Sequence, residues 1–154
     1  MSDLSTEVQR VKTFLESKGL GDRLLLIEAS ISTAGQTSTT LHIEKSSIAK
    51  GILLMTDNKP VLFMIPGNKR VDLKRAQETL QTSEVRLAAP DEAVYFSGFS
   101  IKGVSPIAHP TPIPVYIHHV LKQHPLLYVA AGDDHAMFRV TFDELQQITS
   151  GIVF

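Results

Sequence analysis

Cysteine is absent from this sequence. Disulfides, zinc–thiolate centres and thiol nucleophiles are therefore excluded, and the absence suits a reducing cytoplasm. Long apolar runs are missing too. The stretch Val61 to Ile65 is far too short to span a bilayer. The first twenty residues mix acids, bases and apolar side chains, so no signal peptide is expected. A strong charge of either sign is also lacking: the formal net charge is −1, which does not announce a nucleic-acid binder. No Gly-rich run ends in Lys-Ser or Lys-Thr, and no G-x-S-x-G elbow is present. Six histidines are scattered with no pair at i, i+4. His118, His119 and His124 are expected to be exposed or half-buried, His109 is expected at the surface, and no metal or other cofactor is expected.

What is there fits one soluble domain spanning residues 1–154, with 43% hydrophobic and 20% charged residues. Charge is uneven. Residues 1–77 carry 11 Lys or Arg against 8 Asp or Glu, and residues 78–154 carry 4 against 8. Lys69, Arg70, Lys74 and Arg75 make a local basic face possible, although a solvated helix and turn give the same pattern.

Periodicity predicts the elements. Leu4, Val8, Val11, Phe14 and Leu15 recur at helical spacing and predict a helix over 5–18, ended by Gly19. Leu24 to Ile27 reads as a strand. The Ser/Thr/Gly-rich stretch from Ser30 to Thr40 reads as a loop, with Thr39 or Thr40 capping a short helix to about Ser46. Ile52 to Met55 and Val61 to Ile65 form a hairpin whose loop reads as longer than two residues. Asp72 caps a helix to Leu80, with Leu73, Ala76 and Leu80 on its buried stripe. Val85 to Leu87 is a short strand. Pro90 opens a helix, with Asp91 and Glu92 in its first turn, that stops near Gly98. Residues 98–114 hold two glycines and four prolines and read as a structured loop. Val115 to Ile117, Leu126 to Ala130 and Ala136 to Val140 are further strands. Thr141 and Glu144 have capping-box spacing before a last helix to about Ile148, ended by Gly151.

Two segments invite a chemical reading. Ser47 to Leu54 places Lys50 at the edge of a strand, where a lone lysine usually faces solvent. Gly103-Val104-Ser105-Pro106 is a rigid loop, because glycine permits close backbone approach and proline fixes the exit. Its amides suit binding of a carbonyl or an anion, and equally an ordinary tight turn.

An ordered set of segments resembles the YbaK-like family, which includes the editing domain of prolyl-tRNA synthetase and free-standing relatives. The set comprises Ile48-Ala49-Lys50, Val61 to Asp72, Val85 to Glu92, Gly103 to Pro106, Ala131-Gly132-Asp133-Asp134-His135 and Thr141 to Leu145. Order and spacing agree over roughly residues 25–152. The resemblance implies an α/β fold with a compact, mixed, mostly antiparallel, barrel-like sheet covered by helices. It implies hydrolysis of the ester of a mischarged aminoacyl-tRNA, with a small amino acid and tRNA-Pro as candidate substrate. The catalytic residues it implies are Lys50, Gly103 and Ser105; Val104, Pro106, Gly132, His135, Lys69 and Arg70 join Lys50 in binding substrate. In that picture the 103–106 amides face the developing oxyanion. Lys50 holds a phosphate or ribose oxygen, water attacks directly, and a small pocket excludes larger side chains. Lys102 departs from the family pattern, in which many relatives carry glycine there.

The partners implied are aminoacylated tRNA and, second, a cognate synthetase, with no DNA and no membrane, in the cytoplasm. The alternatives are a non-catalytic module of the same fold that holds tRNA or a synthetase, and a regulatory protein that keeps the pocket for a small ligand.

Overall fold

The computed structural model describes residues 4–31 and 33–154. Helix α1 (Thr6–Ser17) starts where the Ser5 hydroxyl accepts the amide of Val8, and ends before Gly19, whose φ of +74° suits glycine. Strand β1 (Leu24–Leu26) follows, then helix α2 (Ala34–Leu41). The cap of α2 is Thr33, whose hydroxyl accepts from the Gln36 amide, and not Thr39 or Thr40. The helix ends at left-handed His42, so Ser46 belongs to a separate single 3-10 turn.

Strand β2 (Ile48–Thr56) and strand β3 (Lys59–Pro66) are longer than their apolar cores. Thr56 pairs with Lys59, so the hairpin loop is only Asp57-Asn58. Both residues have positive φ, as a tight two-residue hairpin requires. The polar strand ends had hidden this short turn. Asp72 caps α3 (Leu73–Leu80), and β4 (Val85–Leu87) leads into α4 (Pro90–Ser97). There the Glu92 carboxylate accepts the Ala89 amide, and Gly98 ends the helix in the left-handed region. The long loop holds only a single 3-10 turn, Ile101–Gly103, before β5 (Val115–Ile117). Strands β6 (Leu127–Ala130) and β7 (Ala136–Val140) precede α5 (Phe142–Thr149), which has the complete Thr141/Glu144 capping box. A short strand β8 (Ile152–Val153), not predicted from sequence, follows left-handed Ser150.

The sheet runs β1-β7-β6-β2-β3-β5-β8, with β4 also on β2. Four pairings are antiparallel (β1/β7, β2/β3, β2/β4, β6/β7) and three are parallel (β2/β6, β3/β5, β5/β8). The expected mixed, mostly antiparallel sheet is observed. Strand β3 is buried on both faces, which explains its unbroken apolar run. Leu62 and Met64 join the main core under α1 with Val8, Val11 and Leu15, while Val61, Phe63 and Ile65 meet Ala76 of α3 on the other side. Helix α2 lies over a third cluster around Ile31, Ile48 and Met137.

Candidate active site

Strand β2 carries the site. Lys50 is its third residue, within the central strand and not at its edge, and pairs with Ile65 of β3. The next residue is Gly51, where an added Cβ would collide with the main-chain oxygen of Val104. The glycine thus lets the 103–106 segment lie directly on the strand. Across the sheet, Gly132 has a φ of +116°, and a Cβ there would stand 2.7 Å from the backbone of Glu7 and Val8. The turn after β6 therefore rests on the first turn of α1. The Ser5 hydroxyl reinforces the contact by donating to Asp133 Oδ2 at 2.8 Å.

These close approaches bound a partly open cavity of about 830 Å³. Its walls come from α1 (Glu7), α2 (Thr33, Ala34, Thr37), β2 (Ile48 to Gly51), the 98–103 stretch and the β6–β7 turn. Eight lining residues are small, namely Ala34, Ala49, Gly51, Gly98, Gly103, Ala130, Gly132 and Ala136, with Ile31, Ile48, Phe99 and Met137 as larger apolar surfaces. Two ammonium groups, Lys50 and Lys102, and three carboxylates, Glu7, Asp133 and Asp134, supply the charge.

The Lys50 ammonium donates to the carbonyl oxygen of Lys69 at 2.8 Å, so a second loop fixes its direction. Burial, and then the charge of Arg70, holds its pKa below the usual lysine value. An anion beside Lys50 would offset both effects. Asp134 accepts from the Ser30 hydroxyl, which lowers its pKa further than the nearby His135 does.

Of the residues singled out from the sequence, Lys50, Gly103 and Gly132 meet on this cavity. Val104, Ser105 and Pro106 are buried behind it and are not among its lining residues. Ser105 is 0% exposed and its hydroxyl makes no hydrogen bond among the described residues. The Gly103 amide donates to Ser100 O at 3.0 Å, so that donor is engaged. His135 stands outside the lining, and its Nδ1 donates to Ile27 O at 3.1 Å. Lys69 and Arg70 line a different groove. His109 is half-buried, against the expectation of surface placement. Its ring packs edge-on to Phe99, and Nε2 lies 2.6 Å from Ser105 O. Gly51 was passed over in the sequence, though a glycine inside an apolar strand run is a known sign of close backbone approach. Thr33, Thr37, Phe99 and Met137 carried no local signal. Among the described residues, no group of three or more His, Asp or Glu is placed to hold a metal ion.

Fold and site together define a compact mixed-sheet α/β domain with a large cavity lined in part by small residues and by a strand-borne lysine. The family model for the aminoacyl-tRNA editing domain matches residues 28–148, and the chain belongs to that family. A solved structure described as a proposed trans-editing enzyme for prolyl tRNA synthetase superposes with a TM-score of 0.92 at 32% identity, covering 99% of this chain and 97% of that one. EbsC of Enterococcus faecalis, proposed to be a Cys-tRNA(Pro)/Cys-tRNA(Cys) deacylase, is 27% identical over 121 residues, covering 77% of this chain and 73% of EbsC. The proline–tRNA ligase of Lactobacillus gasseri is 32% identical over 77 residues, which is half of this chain and 14% of the ligase.

Proposed function

We infer that this protein hydrolyses the ester between a small, wrongly attached amino acid and the 3′ end of a tRNA, with tRNA-Pro the first candidate. The observation that carries the reading is the placement of Lys50 and Gly103 on one cavity, eight of whose lining residues are alanine or glycine. A small-walled cavity admits a small side chain and rejects a larger one by sterics. Lys50, held by Lys69 O and short of counter-charge, takes a phosphate or ribose oxygen of the terminal nucleotide.

Water is the nucleophile in this reading. Among the described residues, the cavity hydroxyls belong to Thr33, Thr37 and Ser100, and no histidine lines the cavity to activate them. Thr37 Oγ1 donates to Thr33 O, and Ser100 Oγ accepts from the Lys102 amide. With the Gly103 amide engaged and Val104 and Ser105 buried behind the lining, the 103–106 amides are not assigned the oxyanion role in this reading.

A second reading, a binding module without hydrolysis, draws on the engaged Gly103 amide and on Lys102, which adds a second cation to the cavity. One experiment separates the two. Purified protein is incubated with a panel of mischarged tRNAs, including alanyl- and cysteinyl-tRNA-Pro, and ester loss is compared with buffer alone. Selective hydrolysis of one or more members is expected. Tight binding with no hydrolysis of any member would replace the enzyme reading with the module.

A further inference from the structure

A second groove lies beside β3, on the side of the sheet that α3 covers, with a volume of about 430 Å³. Its lining brings Lys69, Arg70 and Arg75 together with His118 around an apolar base that includes Phe63 and Phe154. Among the described residues none of these three cations forms an ion pair. The one acidic side chain lining the groove, Asp72, is already committed to capping α3, its Oδ1 accepting the Arg75 amide at 3.1 Å. Arg75 is held in place by Phe154, over whose ring its guanidinium lies at 5.3 Å. Its Nε is shielded from solvent and has no hydrogen-bond partner among the described residues. A buried donor left unpaired is costly, and here it belongs to one of three cationic side chains that line the groove against a single acidic one.

His118 completes the set. The Val120 amide donates to His118 Nδ1 at 3.1 Å, which leaves the ring proton on Nε2. Burial first, then the charges of His119, Arg75 and Lys69, hold its pKa down at about 4. The ring is thus a neutral N–H donor at physiological pH.

We propose that this groove is a phosphate-binding site, in which Arg75, Lys69 and Arg70 supply charge and His118 supplies a neutral donor to one phosphate group. Guanidinium groups suit phosphate because they present several donors in a fixed fork. The phosphate has two sources: an internucleotide phosphate of the nucleic acid whose end enters the main cavity, or a free phosphomonoester. The first source rests on the editing function proposed above, and the second does not. The link to the main cavity is physical, since the Lys69 carbonyl on the rim of this groove is the acceptor that fixes Lys50.

The test is heteronuclear NMR on the full chain, titrated separately with inorganic phosphate and with an uncharged hairpin RNA ending in CCA. With millimolar phosphate, resonances of Val71, His118, Phe154 and the Arg75 Nε–H are expected to move, and Arg75→Gln is expected to weaken the response about 10-fold. Should that variant misfold, Lys69→Gln, at an exposed position, takes its place. Movement of the same resonances by the hairpin assigns the phosphate to the nucleic acid. A hairpin that shifts the Lys50 and Gly103 resonances alone supports the site with a free phosphomonoester as its ligand. Phosphate that leaves the groove resonances still, or shifts them equally in wild type and variant, overturns the site whatever the hairpin does. The deacylation assay judges the editing reading separately, so either can fail without the other.

Discussion

The ring of His109 donates from Nε2 to the carbonyl oxygen of Ser105 at 2.6 Å, since a carbonyl can only accept. The bond ties the far end of the proline-rich loop back to the segment that lies on β2. It favours protonation of the ring, but burial outweighs it, and Arg10 adds to the lowering, so the pKa of His109 falls below the ordinary histidine value. His118 is lowered as well, to about 4. Both rings therefore bind more protons unfolded than folded. Their contribution to stability is full above the unfolded pKa of about 6.5 and is lost as pH falls through the folded values. Melting temperature is expected to drop between pH 7 and pH 5, above the window in which Glu92, held down at about 2, begins to protonate. His109→Gln keeps a donor and removes the titration, so its melting curve is expected to fall less over the same interval. An unchanged acid slope would assign the effect elsewhere.

Lys50→Ala is expected to lower kcat/KM on a mischarged tRNA by about 10- to 150-fold, the worth of a charge-assisted hydrogen bond of roughly 1.5–3 kcal/mol made in the transition state. Lys18→Ala and Lys122→Ala are the controls, since these ammonium groups lie over the rings of Phe14 and Phe142 and not on the cavity. Steady-state kinetics with circular dichroism as a folding check makes the comparison. Equal losses in all three variants would indicate diffuse charge attraction.

Two glycines on the same cavity should respond differently to a single methyl. Gly51→Ala drives Cβ into the main-chain oxygen of Val104, whereas at Gly103 the nearest atom is the Ala130 Cβ at 4.0 Å. The first substitution is expected to cost about 1–3 kcal/mol, with a melting temperature lowered by about 2–4 °C for each kcal/mol. The second is expected to stay close to wild type in stability, and its effect should appear in the choice of substrate. Thermal denaturation paired with the mischarged-tRNA panel reads both. A Gly51→Ala protein as stable as wild type would mean that the loop can move off the strand.

Thr141→Ala should cost about 1 kcal/mol, because the Thr141 hydroxyl accepts the Glu144 amide while the Glu144 carboxylate accepts the Thr141 amide. Glu144 also pairs with both terminal nitrogens of Arg23, at 2.6 and 2.8 Å, so the cap ties α5 to the turn before β1. Urea denaturation checks the value, and a loss below a few tenths of a kcal/mol would show that the Arg23 pair holds the helix end without the cap.

What could be read from the sequence follows the range of the forces involved. The Asp72 cap, the Thr141/Glu144 box and the Pro90-to-Gly98 helix depend on residues within one or two turns, and all three appear where the spacing puts them. The start of α2 was placed wrongly because Ser-Thr-Ala-Gly-Gln-Thr-Ser-Thr-Thr offers many hydroxyl caps, and packing over Ile31, Ile48 and Met137 favours one of them. Strand β8 has two residues and exists through its pairing with Tyr116 and Ile117. His109 packs edge-on against Phe99, a ring that itself lies under the Arg10 guanidinium from 89 residues earlier in the chain. Within the site, Lys50 and Gly103 were found by resemblance to a family, whereas Gly51 could have been found by physics alone, as a glycine in the middle of an apolar strand.

The seat that Gly132 provides for the first turn of α1 bears on what counts as the working unit. Residues 28–148 carry the family signature, yet Glu7 forms part of the cavity wall and Ser5 holds Asp133 in place from outside that span. A fragment trimmed to the recognisable region would lose one side of its own cavity, along with β1 and β8 at the two ends of the sheet. The border of sequence similarity falls inside the folded body, so a transplant of this cavity into another protein has to carry the leading helix with it.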